Sequence, residues 1–465
     1  MAVVGGALLM LWPAIYNGYP LLYPDSISYL GDGRPLAKIL FLHRPTGYMA
    51  MRSEIYSLGI FFFHWNVTAW PIIALQALLT SIVIWLVVRS LVARHVELHF
   101  LALVALLSLT TSLSWYVCFV MPDILGPVLY LSIYLLVFAR ETLSVRERWG
   151  VAAIAWWAMA AHPTHLLVAV VVCTLLGILH LLRCPAMRAR GRVVAGAMAI
   201  IALVVASQMA LHKVLYGEPT LNGNRMPYLM ARIVADGPGR WYLEQHCGEL
   251  RWAICERVGS LPDTDDDFLW EPGGVWVSAS AEPQKRMLRE EMPLVLASVR
   301  AYPRAQMQRS LTSFWAQLGE FGLWDFCPNS WLDSKVDLVL PGTRSRFMST
   351  QQDRGRLPKA FFTVVQQWVV AASVLGIVVG VPVLWRRQRW RALGLVAIVV
   401  PAVIANAFVT AVLSEVDSRY QCRVIWLVPL ASVLIALDLL SRWRSQRLVD
   451  DSVSENEFAE CGNKA

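Results

Sequence analysis

The chain has 465 residues, of which 57% are hydrophobic and only 16% are charged, and its mean hydropathy is +0.50. A soluble globular domain cannot bury this much apolar surface, so the composition excludes a soluble protein and indicates an integral membrane protein. We interpret the formal net charge of +8 as a result of membrane topology and not of nucleic-acid binding.

Apolar runs long enough to form membrane-spanning helices recur along the chain. A helix needs roughly 20 apolar residues to cross the hydrocarbon core, and about ten such helices fit the sequence. They cover residues 5 to 23, 67 to 88, 99 to 119, 124 to 139, 149 to 161, 163 to 182, 193 to 213, 361 to 385, 392 to 413 and 424 to 440. The fifth is short, because His162 and Pro163 interrupt it. The pattern predicts an all-α polytopic membrane protein.

The arginines distinguish the two sides of the membrane. If the N-terminus is cytoplasmic, the inside connections are rich in arginine, whereas the short outside connections carry only Arg419 and Arg423. This asymmetry follows the positive-inside rule, so both termini are predicted to be cytoplasmic. A composition rich in arginine, alanine and valine favours a bacterial inner membrane, with an archaeal or eukaryotic membrane as the alternative. The first run has no small-residue cleavage site, and we expect it to be retained.

Four regions follow from these spans. They are an N-terminal membrane core at 1–213, an extracytoplasmic loop module at 214–360, C-terminal membrane helices at 361–442 and a polar tail at 443–465, which we expect to be disordered. The first outside loop, 24–66, interleaves apolar and basic residues in a way that suits interfacial helices. The loop module is expected to contain a long helix at roughly 283–318, interrupted at Pro303.

Four cysteines lie on the predicted outside, namely Cys247, Cys255, Cys327 and Cys422. An oxidising compartment would let Cys247 and Cys255 pair across CGELRWAIC, although four cysteines allow three connectivities. The sequence has no Walker loop, GxSxG elbow, HExxH motif or dinucleotide fingerprint, so the common soluble catalytic motifs are missing. Nor does it show the internal repeat that secondary transporters usually have.

Ionisable residues gather at the predicted outside ends of the spans. They are Asp25 in LLYPDSISYL, Asp123 in MPDILGP, His162 and His165 in AHPTH, and Glu415, Asp417, Arg419 and Arg423 in SEVDSRYQCR. A charge close to hydrocarbon is expensive, so such a ring at one depth predicts a functional site.

Each of these residues also has an ordinary structural interpretation. Asp25 suits a turn or a helix cap, Asp123 faces a helix dipole, and arginines anchor spans to headgroups. The histidines suit the membrane interface. Taken separately, these interpretations do not predict that two acids, two histidines and two arginines share one face, so we favour the functional site.

The arrangement resembles the GT-C superfamily of polytopic glycosyltransferases, which use polyprenyl-phosphate sugars and include the protein O-mannosyltransferases and the lipid A aminoarabinose transferase. The resemblance lies in a carboxylate after the first span, a second one at the next outside boundary and a short helix pair bearing histidine. A long outside loop after the seventh span and an Arg-Tyr pair before a late span complete it.

The resemblance implies roles for individual residues. Asp25 in PDS would be the base or the residue that orients the acceptor, and Asp123 matches an acid that in parts of the family helps to bind a metal or the acceptor. It also implies that His162, His165, Arg419 and Tyr420 contact the donor phosphate, and the need for positive charge there leads us to add Arg44 and Arg423. Many relatives have a second acid in the first motif, where this chain has Ser26, so participation of a divalent cation stays open.

The chemistry agrees with these roles. Sugar transfer from a lipid phosphate to a hydroxyl needs a base on the acceptor oxygen and positive charge at the leaving phosphate. Arginine offers a two-pronged donor to phosphate. We therefore predict inverting transfer to a lipid, polysaccharide or protein hydroxyl at the extracytoplasmic face. The alternatives are a transporter or flippase of a lipid-linked sugar, and a membrane scaffold without catalytic activity.

Overall fold

The computed structural model describes residues 1–44, 52–187, 190–221, 223 and 225–440. In the N-terminal part the helices are α1 (Ala2–Leu9), α2 (Trp12–Asn17), α3 (Pro24–Leu42), α4 (Glu54–His64), α5 (Trp70–Leu91), α6 (Val96–Thr110), α7 (Leu113–Val117), α8 (Leu125–Phe138), α9 (Val145–Ala161), α10 (Pro163–Leu181) and α11 (Gly191–Tyr216). They are followed by α12 (Tyr228–Ala235), α13 (Pro238–His246), α14 (Asp265–Leu269), α15 (Ala281–Ala301), α16 (Pro303–Gly319), α17 (Ser330–Val339), α18 (Arg344–Phe347), α19 (Lys359–Arg386), α20 (Trp390–Leu413) and α21 (Ser418–Ile425). The predicted all-α fold class is confirmed for these residues.

Several helices have the length and composition of membrane spans. Within the described ranges, six qualify, namely α5, α10, α11, α19, α20 and the segment Ser418–Leu440. The segments Val96–Thr110 and Pro122–Phe138 are apolar but shorter. Helix α19 exposes Trp368, Leu375 and Val379, and exposed apolar side chains on long apolar helices indicate contact with lipid. The chain is thus a membrane protein, and the count of about ten spans stays a prediction.

The first predicted span, 5–23, is not one continuous helix. α1 ends at Leu9, and α2 ends at Asn17 because Gly18 adopts a left-handed conformation with φ of 86°. Pro20 follows and has no N–H with which to continue the helix. The chain therefore leaves the helix several residues earlier than predicted, and Asp25 begins a new helix, α3.

A parallel backbone bridge sets the positions of the two predicted acids. The N–H of Leu21 donates to the carbonyl of Cys118 at 2.9 Å, and the N–H of Val120 donates to the carbonyl of Leu21 at 3.0 Å. The bridged residues are Leu21 and Phe119, and each is followed at the same interval by a Pro-Asp pair that starts a helical turn. Because paired parallel segments leave in the same direction, Asp25 and Asp123 reach the same level of the bundle.

The predicted interfacial helices of the first loop are α3 and α4, which pack against each other. A Cβ on Gly33 would lie 2.6 Å from the backbone oxygen of Ser57, so only glycine permits this close approach. The oxygen of Ser53 accepts the N–H of Tyr56 and so begins α4. This packing brings Arg52, which directly precedes the cap, back to the start of α3.

The segment predicted as a single module, 214–360, contributes to two cores. Residues between Met226 and Val295 form a core of their own, and we use the name loop module for this part of the segment. The long helix expected there is interrupted as predicted, between α15 and α16 at Pro303. Side chains from Leu323 to Leu357 instead join the core of the membrane helices.

The loop module contains a disulfide between Cys247 and Cys255, which is the pairing that the sequence suggested. Cys327 is an exposed free thiol and Cys422 is a buried one. Disulfides persist in oxidising compartments. The pairing is compatible with the predicted extracytoplasmic location of the loop module, which stays a prediction.

Candidate functional site

Charged side chains from four parts of the chain meet where α3, α8 and α21 begin. Residues that we call the charge cluster are Asp25, Arg52, Asp123, Arg419 and Arg423. Asp25 lies in the first turn of α3, and Asp123 lies in the 3-10 turn Pro122–Ile124 that leads into α8. In both cases the carboxylate sits at the positive end of a helical segment, which stabilises its charge.

Asp25 lies between two guanidinium groups. Its Oδ1 accepts a hydrogen bond from Nη2 of Arg52, and its Oδ2 lies 3.8 Å from Nη1 of Arg419. Nη1 of Arg52 also donates to the hydroxyl of Tyr228 at 2.9 Å, and its guanidinium lies 5.2 Å from the ring centroid of Trp270. Arg52 therefore connects Asp25 to the loop module.

Asp123 and Arg423 form a buried ion pair. Nη1 of Arg423 lies 3.3 Å from Oδ1 of Asp123, and the two side chains are 1% and 4% exposed, respectively. Nη2 of Arg423 donates to Oδ1 of Asn406 in α20 at 3.0 Å, and the amide of Asn406 donates in turn to the carbonyl of Tyr420 at 2.7 Å. Since neither charge is tolerated in the interior without its partner, this pair ties α21 to the start of α8.

Arg419 is buried between two aromatic rings. Its guanidinium lies 4.4 Å from the ring centroid of Tyr23 and 5.0 Å from that of Tyr420, and Nη2 donates to the Tyr420 hydroxyl at 3.3 Å. Nε and Nη1 of Arg419, and Nε of Arg423, are buried and have no hydrogen-bond acceptor within the described part of the chain. Buried charged donors without an acceptor are costly, so these N–H groups are suited to an anionic oxygen.

His162 and His165 lie at the kink between α9 and α10 and border the charge cluster. Nδ1 of His165 lies 2.9 Å from the carbonyl oxygen of Ala158, which can only accept, so in the neutral ring Nε2 is an acceptor. That Nε2 is buried without a partner among the residues that the structure describes, and it faces Gly126, where a Cβ would lie 2.9 Å away. Nδ1 of His162 accepts the N–H of Thr164 at 3.2 Å, which leaves Nε2 as a donor.

The structure brings most of the predicted site residues together. These are Asp25, Asp123, Arg419, Tyr420 and Arg423, with His162 and His165 beside them. Arg44 is not among them, because it is exposed after the end of α3 and forms no ion pair with any described residue. Arg52 takes the place expected for Arg44. In the sequence, Arg52 is only one of the basic residues interleaved in the first outside loop, although Ser53 and Glu54 form a helix-start pattern directly after it.

The structure also adds an acid that the sequence analysis missed. Oδ2 of Asp325 accepts a hydrogen bond from the hydroxyl of Ser418 at 2.9 Å, at the start of α21. Burial and the neighbouring Asp417 raise the pKa of Asp325 to about 6, against the opposing effect of Arg419. No sequence motif marks Asp325, because its proximity to the cluster depends on the fold of the segment after α16.

Glu415 lies in the loop between α20 and α21, where the loop module approaches the membrane helices. Burial, together with the nearby carboxylates of Asp266 and Asp265, raises the pKa of Glu415 to about 8. Both aspartates belong to α14 of the loop module. The surroundings of the charge cluster are therefore acidic on the side of the loop module.

The residues of the cluster do not fit a divalent cation. Asp25 and Asp123 each face a guanidinium group, which occupies the position that a cation would need. Across the described ranges, no three His, Cys, Asp or Glu side chains are grouped so that they could hold a metal ion. We therefore derive no chemical step through a metal.

Comparison of the chain with protein-family models, with curated proteins and with solved structures found no match. The resemblance to the GT-C superfamily stays a prediction.

The buried pair of Asp123 and Arg423 makes a testable contribution to stability. Asp123→Asn leaves the charge of Arg423 buried without its counter-charge, and Arg423→Gln does the same to Asp123. For each variant we expect the free energy of unfolding to fall by about 3–5 kcal/mol. The double variant should lose less than the sum of the two single changes. Denaturant unfolding in detergent micelles measures these values.

The matched control is Arg240→Gln at the ion pair with the exposed Asp263, where we expect a change below about 1 kcal/mol. Additive losses in the double variant would contradict the pairing.

Glu415 makes stability depend on pH. Its pKa in the folded chain, about 8, exceeds its ordinary value of 4.5, so its stabilising contribution is full below pH 4.5 and is lost as the pH rises through about 8. We expect Glu415→Gln, which keeps a neutral side chain, to flatten the fall in unfolding free energy over this window. Unfolding curves in micelles at a series of pH values provide the measurement, with the exposed Glu271→Gln as control. An unchanged slope in Glu415→Gln would show that folding does not raise the pKa of Glu415.

Proposed function

We propose that this chain is a membrane glycosyltransferase that transfers a sugar from a polyprenyl-phosphate donor to a hydroxyl of a lipid, polysaccharide or protein acceptor, with inversion. One observation carries the proposal. Buried N–H groups of Arg419 and Arg423 lack an acceptor among the described residues, and Nη1 of Arg419 lies 3.8 Å from the carboxylate of Asp25. An anion-binding group beside a base is what this transfer requires.

The arginines bind the donor phosphate in this mechanism. As the bond between the sugar and the phosphate breaks, the electron pair moves to a phosphate oxygen, and the N–H groups of Arg419 and Arg423 stabilise the growing negative charge. Nε2–H of His162 supplies a further donor, whereas neutral His165 offers a lone pair that suits a hydroxyl group better than a phosphate. Tyr420 supports both guanidinium groups through its ring.

Asp25 acts as the base. Its Oδ2 faces Arg419 at 3.8 Å without a hydrogen bond, so a phosphate bound to Arg419 leaves this oxygen available to the acceptor. The acceptor oxygen attacks the anomeric carbon from the side opposite the phosphate, and its proton passes to Asp25. Asp123 remains paired with Arg423 and acts by positioning that guanidinium.

The proposed orientation places the charge cluster on the extracytoplasmic side of a bacterial inner membrane, with about ten spans and cytoplasmic termini. Two features support it. The disulfide of the loop module suits an oxidising compartment, and the opposite helix ends carry Arg89, Arg190, Arg389 and Arg391.

The test is release of polyprenyl phosphate by protein reconstituted in vesicles with radiolabelled polyprenyl-phosphate hexoses and pentoses and an envelope lipid extract as the acceptor. We expect Asp25→Asn to slow release by about 10²- to 10⁴-fold, since general base catalysis contributes that much. Arg419→Lys should also be slow, because lysine lacks the two-pronged donor. The control Arg44→Ala should retain full activity, since Arg44 is exposed and lies outside the cluster.

Two outcomes would contradict the proposal. Undiminished release by Asp25→Asn would remove Asp25 as the base. Movement of the intact labelled donor across the vesicle membrane, without release of polyprenyl phosphate, would identify the chain as a carrier of lipid-linked sugar.

A further inference from the structure

A second basic site lies at the end of the bundle opposite the charge cluster. A cavity of about 310 Å³ opens where α5 ends and α20 begins. Its polar lining includes Ser90, Arg190, Gln388, Arg389, Arg391 and Asp438. None of these residues belongs to the mechanism proposed above.

The arginines of this cavity are only partly neutralised. Arg389 donates two hydrogen bonds to Asp438, so this pair carries no net charge. Within the described residues, the carboxylate near Arg190 and Arg391 is that of Glu141, at 3.8 and 3.9 Å, and its side chain is 62% exposed. Such an exposed pairing is weak, so the cavity retains positive charge.

Arg190 is held in place before any ligand binds. Nε of Arg190 donates to the carbonyl of Ala186 at 2.9 Å, and Nη1 donates to the carbonyl of Val137 at 2.8 Å. Its guanidinium lies 5.2 Å from the ring centroid of Phe138. Helix α20 begins at the cavity without a side-chain cap, so the positive end of its dipole adds to the field of the arginines.

Aromatic residues place the cavity at the depth of lipid headgroups. The rings of Trp385 and Trp390 meet edge to face with centroids 5.4 Å apart, and Trp385 is 54% exposed. Tryptophan is enriched where membrane helices meet the interface. Both residues lie at the turn between α19 and α20, where Arg386 ends the apolar helix.

We propose that this cavity binds the phosphate of an anionic lipid headgroup, on the face opposite the charge cluster. The arginines supply charge-assisted donors for the phosphate oxygens, and basic pockets between membrane helices on the arginine-rich side are suited to anionic headgroups. The inference does not depend on the proposed glycosyltransferase activity, because it uses a different set of residues at a different depth.

Binding is tested on the full-length chain in a neutral detergent, with short-chain phosphatidylglycerol, short-chain phosphatidylcholine and inorganic phosphate as separate probes. Native mass spectrometry or a shift in the thermal unfolding midpoint reports the affinity. We expect phosphatidylglycerol to bind more tightly than phosphatidylcholine or inorganic phosphate. Gln388→Glu, which adds a negative charge to an exposed lining residue without changing its shape, should weaken binding of phosphatidylglycerol by about 5-fold.

Further variants separate this effect from damage to the fold. Gln388→Lys should strengthen binding, which a misfolded protein cannot do, and Arg391→Gln should weaken it. Arg387→Gln is the matched control, since it removes an exposed neighbouring charge that does not line the cavity and should leave the affinity unchanged.

Equal affinity for the two lipids, or equal weakening by Arg387→Gln and Arg391→Gln, would overturn the proposal. Inorganic phosphate that binds as tightly as phosphatidylglycerol would assign the cavity to a soluble phosphate ligand and overturn the lipid assignment.

Discussion

Carboxylates paired with arginines in the protein interior hold together the end of the helical bundle that contains the candidate site. Asp123 and Arg423 are almost fully inaccessible to solvent, and Asp25 contacts both Arg52 and Arg419. A buried charge is tolerated only when its counter-charge and further hydrogen bonds are in place. The starts of α3, α8 and α21 are therefore required to meet. The same pairing leaves N–H groups of Arg419 and Arg423 without acceptors among the described residues. These are the groups that we propose bind the donor phosphate.

The local parts of the fold follow from sequence signals. The breaks before Pro163 and at Pro303 were predicted, because proline acts on the backbone within its own turn. The end predicted for the first span, at residue 23, was wrong, because α2 ends at Asn17. Its end depends on Gly18 and on the pairing of Leu21 with Phe119, which is a contact between distant segments that hydropathy does not record. A weak signal was present, since two apolar residues, one further residue and a Pro-Asp pair occur at both 21–25 and 119–123.

The candidate site was also predictable only in part, because some of its contacts join residues that are distant in sequence. Topology alone puts Asp25, Asp123, Arg419 and Arg423 at one end of the bundle, and the structure brings them into contact. The predicted topology does not distinguish between the basic residues of one loop. Arg44 was therefore expected at the site, whereas Arg52 is the residue that contacts Asp25. The contacts that distinguish Arg52 come from Tyr228 and Trp270, which are distant in sequence and belong to the loop module.

The most direct test of the central claim is a cryo-electron microscopy map of the chain in lipid nanodiscs with a non-hydrolysable polyprenyl phosphonate. The account predicts density for the phosphonate within hydrogen-bonding distance of Nε and Nη1 of Arg419 and of Nε of Arg423, with the Asp25 carboxylate on the side of the donor where the acceptor enters. A phosphonate bound away from these arginines, or a map in which Asp25 faces bulk solvent far from Arg419, would contradict it.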